Sequence, residues 1–319
     1  LITPIKIVVL DSFTLNPGDL SWQALSQLGN CQIYPHTLPS EVASRAHDAD
    51  IVLTNKTVLS AQTLASLPKV KYIGVLATGT NVVDLDCAKQ RGIVVTNVPG
   101  YGPDAVAQMV FAHILAHCQQ VNLHDQAVKQ GQWTQGRDFC FTLSPLMSLK
   151  GKTLGVIGFG DIGQQVAHLA LAFGMNVIIH TPKPKQGLGE NMRWCELDTL
   201  LREADIVSLH CPLTPQTKLF INAKTLSLLK AGALLINTAR GDLVNETELA
   251  LWLNQQRGFA GIDVLSSEPP QADNPLLTAK NITITPHIAW ATREARLNLL
   301  NIAVENVQAY LKGVPIHCV

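Results

Sequence analysis

TLGVIGFGDIG, residues 153–163, joins an apolar run to a helical pattern through three glycines. Residues 153–157 are apolar and β-branched, the composition of a strand buried on both faces. The run opens onto Gly158, Gly160 and Gly163 at GxGxxG spacing. In such a turn the first glycine permits a sharp departure from the strand. The second lets the backbone approach a pyrophosphate, and the third brings the helix against the strand. Phosphate charge then sits on the free amides and the positive end of that helix. Glycine is common in turns, so the motif alone describes an ordinary strand-to-helix connection equally well. Its surroundings discriminate.

From residue 153 onward, six strand-like runs alternate with helical segments: 153–157, 176–180, 205–210, 233–237, 259–264 and 282–285. Six is the count of a complete doubly wound dinucleotide fold. Upstream, runs at 5–10, 32–34, 50–54, 72–76 and 93–96 alternate with helical segments at 40–47, 61–67 and 84–91, which predicts a smaller α/β unit. NVPGY at 97–101 punctuates the chain before a helical stretch at 103–121, and the crossover between units is placed there. An amphipathic helix at 294–311 is expected to return to the first unit.

Length and composition agree. A chain of 319 residues, 47% hydrophobic and 15% charged, has room for about two domains with their own cores. Its 24 basic and 24 acidic residues cancel, so no global field draws nucleic acid or an anionic membrane. Seven cysteines (Cys31, Cys87, Cys118, Cys140, Cys195, Cys211 and Cys318) form no CxxC pair, which suits reduced thiols in a cytoplasm better than disulfides or zinc. LITPIKIVVLD at 1–11 is too short for a secretory core, lacks a basic leader and reads as a first strand. No apolar run approaches the roughly 18 residues of a membrane helix. A soluble cytoplasmic protein is expected.

In open α/β sheets ligands sit beyond the carboxyl ends of the strands. The fourth run of the second series ends in Asn237-Thr238-Ala239-Arg240-Gly241. The fifth is followed by Asp263 and Glu268-Pro269-Pro270, and the sixth by Pro286-His287. Singly, Arg240 reads as a surface cation, Glu268 as a solvated acid and His287 as a partner for a buried carbonyl. Their joint placement at three strand ends points instead to a site.

GFGDIG at 158–163, LLINTARGDLVNETEL at 234–249, GIDVLSSEPP at 261–270 and TPHIAWAT at 285–292 resemble the signatures of the D-isomer-specific 2-hydroxyacid dehydrogenases. With LATGTNVVDLD at 76–86 the resemblance spans essentially the whole chain. NVPGYGPDAVAQMVFA at 97–112, DFCF at 138–141 and His287-Ile288-Ala289-Trp290 are most similar to the glycerate dehydrogenase, or hydroxypyruvate reductase, group.

That resemblance implies two doubly wound parallel-sheet α/β domains. A Rossmann dinucleotide-binding domain (100–288) is inserted in a smaller flavodoxin-like substrate domain (1–99 and 289–319). It also implies hydride transfer between NAD(P)H and a small 2-keto acid, hydroxypyruvate or glyoxylate giving D-glycerate or glycolate. The catalytic residues are then Arg240, Glu268 and His287. His287 supplies a proton, Glu268 bonds the other ring nitrogen and favours the imidazolium, and Arg240 clamps the substrate carboxylate with its fork of donors. Ala77, Thr78, Gly79, Thr80, Arg240 and Trp290 are assigned to substrate, Trp290 reading equally as core packing or a subunit contact. Cofactor contacts fall on Gly158, Gly160, Asp161, Ile162, Gly163, His180, Cys211, Pro212, Thr238, Ala239, Arg240, Asp263 and His287. Asp263 is given the nicotinamide carboxamide. No metal is implied. The assembly implied is a homodimer formed through the nucleotide domain.

Two departures stand out. The acid usual at the end of the second strand is replaced by His180-Thr181-Pro182-Lys183, so no carboxylate repels the extra phosphate of NADP, and Lys183 and Lys185 offer it positive charge. NAD is the cofactor the group implies, and NADP stays open. Asp161 stands where the family commonly has arginine. Alternative functions are a 3-phosphoglycerate dehydrogenase, whose usual additional domain this length does not accommodate, and a nicotinamide-sensing module of the corepressor kind.

Overall fold

The computed structural model describes residues 4–319, so the first three residues of the expected N-terminal strand stretch lie outside the described residues. The chain begins with β1 (Lys6–Val9), α1 (Gln23–Ser26), β2 (Asn30–Ile33), α2 (Val42–Ala46), β3 (Ile51–Thr54), α3 (Ala61–Ala65), β4 (Tyr72–Val75), α4 (Leu85–Gln90) and β5 (Val94–Thr96). Next come α5 (Pro103–Gln119), α6 (Val121–Lys129), β6 (Thr153–Ile157), α7 (Asp161–Ala172), β7 (Asn176–His180), β8 (Met192–Trp194), α8 (Leu197–Glu203) and β9 (Ile206–Leu209). The remainder is α9 (Ala223–Leu226), β10 (Ala233–Asn237), α10 (Glu246–Asn254), β11 (Gly258–Ile262), β12 (Ile282–Ile284) and α11 (Arg293–Leu311). The chain divides into two compact units, one formed by residues up to Gly102 together with Ala291–Val319, the other by Pro103–Trp290.

The first unit holds a five-stranded parallel sheet in the order β2-β1-β3-β4-β5, the flavodoxin-like arrangement. Strands β3 and β4 are buried along their whole length, as apolar strands covered on both faces must be. Its helices start on side-chain caps: Ser60 accepts from the Thr63 amide at α3 and Asp84 from the Cys87 amide at α4. Helix α11 belongs to this unit and packs on β4, with the Tyr310 and Tyr72 rings 4.7 Å apart. Burial and the ordering of its hydroxyl against Thr96 Oγ1 at 2.6 Å make Tyr72 a core residue, and burial pushes its phenol up. At the start of α11, Arg296 makes a two-pronged ion pair with Asp19, at 2.7 Å on each prong, and also donates to the Leu15 carbonyl.

The second unit holds seven parallel strands in the order β12-β11-β10-β9-β6-β7-β8. Counted within the unit this is the Rossmann order, with β12 added beyond it. Six strands were expected, and seven are present among the described residues. The additional one, β8, is a three-residue edge strand in register with β7 from Val177↔Met192 to Ile179↔Trp194. Met-Arg-Trp is too short to carry an alternation, so only pairing with β7 makes it a strand. The helix expected over 103–121 ends at Gln119. Gln120 turns into the left-handed region (φ 48°) and a separate helix, α6, follows. No glycine or proline announces that break. All seven cysteines are free thiols, and among the described residues no helix is long and apolar enough to cross a membrane.

The sheet order reverses between β6 and β9, and the glycine turn lies there. Gly158 has φ +94°, and a Cβ on it would stand 2.5 Å from the carbonyl carbon of His210, just past β9. At Gly163 a Cβ would stand 2.3 Å from the Gly158 carbonyl oxygen. Strand end, turn and first turn of α7 are therefore packed backbone on backbone. Gly163→Ala is expected to cost about 1–3 kcal/mol of overpacking and to weaken dinucleotide binding, because backbone rather than a flexible side chain must yield. Chemical denaturation and a fluorescence titration with NADH measure the two effects.

Candidate active site

Strands β10, β11 and β12 are neighbours, and the register Asn237↔Ile262↔Ile284 brings their carboxyl ends level. Arg240, Glu268 and His287 leave from these ends. His287 Nδ1 lies 2.5 Å from Glu268 Oε2, with the two side chains 32% and 33% exposed. The other carboxylate oxygen of Glu268 accepts from the Leu265 amide at 3.0 Å, which ties the acid to its own loop. A carboxylate only accepts, so Nδ1 carries the hydrogen of this bond and Nε2 is the nitrogen left for a ligand. His287 sits in the left-handed region (φ 54°), a conformation of order 1–3 kcal/mol above the usual one. The surrounding bonds must hold it there.

Asp263, 1% exposed, supplies most of them. Its Oδ1 accepts from the Thr285 hydroxyl (2.5 Å) and the Ile288 amide (3.0 Å), and its Oδ2 from the Ala289 amide (2.8 Å). Its backbone carbonyl accepts from the His287 amide at 2.8 Å. Both acceptor positions of Oδ1 are taken and one remains on Oδ2. The sequence suggested a carboxamide acceptor for this residue. The structure adds that it is the anchor of the His287 loop. Trp290 donates Nε1–H to the His287 carbonyl at 2.9 Å, closing the same loop.

Arg240 follows an Asn237 turn. Asn237, 1% exposed, accepts from the Ala239 amide (3.0 Å) and donates to the Arg240 carbonyl (2.9 Å). The Arg240 side chain is exposed and donates to the Ala239 carbonyl at 2.7 Å. Immediately after it, a Cβ on Gly241 would stand 2.0 Å from the carbonyl carbon of Leu265 and 2.2 Å from the Ser266 amide. The arginine loop therefore lies directly against the loop of Glu268. Glu246 completes the arrangement, accepting from the Ser266 amide and hydroxyl and from Asn274 Nδ2. Asn237, Gly241 and Glu246 were not singled out from sequence. Each stands inside a quoted motif, and that was the only signal they offered.

On the dinucleotide side, the residues present fit NAD(P). A Cβ at Gly160 would meet nothing within 4 Å, so the backbone is open to close approach at the start of α7, where Asp161 and Ile162 are the first residues. Thr238 Oγ1 is buried and, among the described residues, has no hydrogen-bond partner, which leaves a polar atom for a ligand to satisfy. Burial pushes the Cys211 thiol up to about 11, and pushes His210, whose Nε2 lies 2.8 Å from Ser208 Oγ, down to about 3. Pro212 accepts from the Thr217 hydroxyl at 2.7 Å. At the end of β7, His180 Nδ1 is 3.1 Å from the Cys195 carbonyl and the Thr181 hydroxyl donates to the Lys183 carbonyl at 2.7 Å. Lys183 and Lys185 are exposed.

In the first unit, Ala77, Thr78, Gly79 and Thr80 follow β4. The Ala77 carbonyl accepts from the Val98 amide (3.0 Å), the Thr78 hydroxyl donates to the Val98 carbonyl (2.9 Å), and the Thr78 carbonyl accepts from Asn97 Nδ2 (2.7 Å). These bonds employ carbonyls and a hydroxyl, not the amides of Thr78, Gly79 and Thr80.

Residues 111–289 match the family described as D-isomer specific 2-hydroxyacid dehydrogenase, NAD binding domain. The chain is 46% identical to the hydroxypyruvate reductase of Blautia hydrogenotrophica over 98% of its own length and 99% of that protein. It is 40% identical to the glycerate dehydrogenase of Methylorubrum extorquens, with 87% of each covered. The crystal structure of the TT0316 protein of Thermus thermophilus superposes with a TM-score of 0.87 at 35% identity, over 99% of this chain and all of that one. The strand-end site and these likenesses agree: the chain belongs to the D-isomer specific 2-hydroxyacid dehydrogenase family and is an NAD(P)-dependent oxidoreductase of 2-keto acids and 2-hydroxy acids.

Proposed function

We propose that this enzyme reduces hydroxypyruvate or glyoxylate to D-glycerate or glycolate, with His287 as proton donor, Glu268 as its partner and Arg240 as the clamp for the substrate carboxylate. The observation that carries the reading is the 2.5 Å bond from His287 Nδ1 to Glu268 Oε2 at neighbouring strand ends. Reduction of the keto group needs a hydride on carbon and a proton on oxygen. Held by the 158–163 turn, a nicotinamide dinucleotide would supply the hydride. His287 gives its Nε2 proton to the carbonyl oxygen while Glu268 stabilises the imidazolium that does so. The Arg240 guanidinium pairs with the carboxylate and polarises the carbonyl. The turn at 77–80 of the first unit is assigned to the substrate as well.

The relatives named hydroxypyruvate reductase and glycerate dehydrogenase support this choice of substrate. In this reading residues 100–288 bind the dinucleotide through Gly158, Gly160, Asp161, Ile162, Gly163, His180, Cys211, Pro212, Thr238, Ala239, Arg240, Asp263 and His287. Residues 1–99 and 289–319 bind substrate, with Trp290 beside it. NAD is the expected cofactor, and the His180-Thr181 end of β7 sets no carboxylate against NADP. A homodimer is proposed through the nucleotide unit, whose α6 and following segment expose Val121 (65%), Trp133 (50%) and Phe139 (89%). Seven free thiols suit the reducing cytoplasm.

His287→Ala is expected to lower turnover by about 10²-fold or more while NADH still binds, because only proton transfer is removed. Steady-state kinetics with a parallel NADH titration test this, and retained turnover rejects the assignment. Arg240→Lys is expected to weaken keto-acid binding and slow the reaction together, since a point charge does not replace a bidentate fork. A panel of hydroxypyruvate, glyoxylate and pyruvate against NADH and NADPH ranks substrate and cofactor.

A further inference from the structure

A buried histidine one residue past the 97–112 stretch is wired to the His287 loop. His113, on α5, is 4% exposed. Its ring lies against Gly261 of β11, where an added Cβ would come within 2.8 Å of His113 Cβ and 2.9 Å of Cγ. Nε2 is 3.1 Å from Thr285 Oγ1 and Nδ1 is 2.9 Å from Thr283 Oγ1. Thr285 Oγ1 in turn donates to Asp263 Oδ1.

The direction of every bond in this chain follows from its last member. Asp263 as a carboxylate only accepts, so the Thr285 hydroxyl hydrogen points to it. That hydroxyl oxygen can then only accept from His113, which places the hydrogen on Nε2. Nδ1 is left bare and accepts from Thr283. Burial lowers His113 against the opposing pull of Asp263, which agrees with a neutral ring. Beyond Asp263 the same carboxylate holds the Ile288 and Ala289 amides, on either side of which stand His287 and Trp290.

We propose that His113 is a positioning residue of the active site: its Nε2–H orients the Thr285 hydroxyl toward Asp263, and Asp263 holds the loop that keeps His287 in its left-handed conformation. This rests on His287 being the proton donor. If His113 loses its donor, the Thr285 hydroxyl is free to turn, Asp263 loses an oriented partner, and His287 drifts from Glu268. The chemical step slows, but the dinucleotide turn at 158–163 is untouched.

The test compares His113→Leu, which removes both ring nitrogens, with His113→Gln, which retains an amide donor on a side chain of similar reach. Single-turnover reduction of glyoxylate is followed by NADH absorbance and normalised to NADH-binding sites counted by titration. For His113→Leu the rate per site is expected to fall about tenfold with the NADH dissociation constant unchanged, and His113→Gln to recover most of it. A merely structural role changes the number of binding sites and the melting temperature, not the rate per site. Wild-type rate per site in His113→Leu overturns the proposal, as does a loss that His113→Gln does not repair. Should His113→Leu fail to fold, Thr285→Val against Thr285→Ser makes the same comparison. The native enzyme offers an independent reading by ¹⁵N NMR of its imidazoles. A neutral Nε2–H tautomer for His113 at pH 8 is expected, and an Nδ1–H tautomer or an imidazolium overturns the assignment. His287→Ala is the control: if it keeps its turnover the reading of His287 fails, whereas an inactive His287→Ala beside an unimpaired His113→Leu removes only the relay.

Discussion

The active-site half of the molecule depends on one buried carboxylate. Asp263 is 1% exposed, and a charge withdrawn from water to that degree is tolerable only when donors surround it. Here they are the Thr285 hydroxyl and the Ile288 and Ala289 amides, all from the segment that carries His287. The cost of burying the charge and the strain of a histidine at φ 54° are thus met by the same bonds. That segment cannot relax to an ordinary backbone without stripping Asp263 of its partners. The role proposed for His287 needs just such a fixed direction, since effectiveness in proton transfer falls steeply with misplacement.

A second constraint is the closeness of backbones at the strand ends. Gly158 against His210, Gly163 against Gly158, and Gly241 against Leu265 and Ser266 are approaches that no side chain permits. The first two shape the dinucleotide turn, and the third lays the Arg240 loop on the Glu268 loop. Beside the turn, burial holds the Cys211 thiol protonated and His210 unprotonated. Arg240 and the Glu268–His287 pair, the groups proposed for the reaction, stand at the neighbouring strand ends.

The two alternating α/β units, the glycine turn and the three catalytic candidates are legible in the order of residues. Local signals carry them: apolar runs bounded by turns, glycines at fixed spacing, and polar residues directly after strands. Other features are not legible there. Strand β8 is three residues long and exists because β7 offers it a register, and the end of α5 at Gln120 has no breaker residue to mark it. The dual service of Asp263 and the place of His113 were also out of reach, because His113 reads as one polar residue in an apolar helix. Its partners are 170 and 172 positions further along the chain, and only the packing of α5 beside β11 and β12 brings them together. Periodicity reports which face of an element is buried. Which group a buried polar atom meets is settled by tertiary contact, for the physical reason that hydrogen bonds act over about 3 Å and carry no mark in the order of residues.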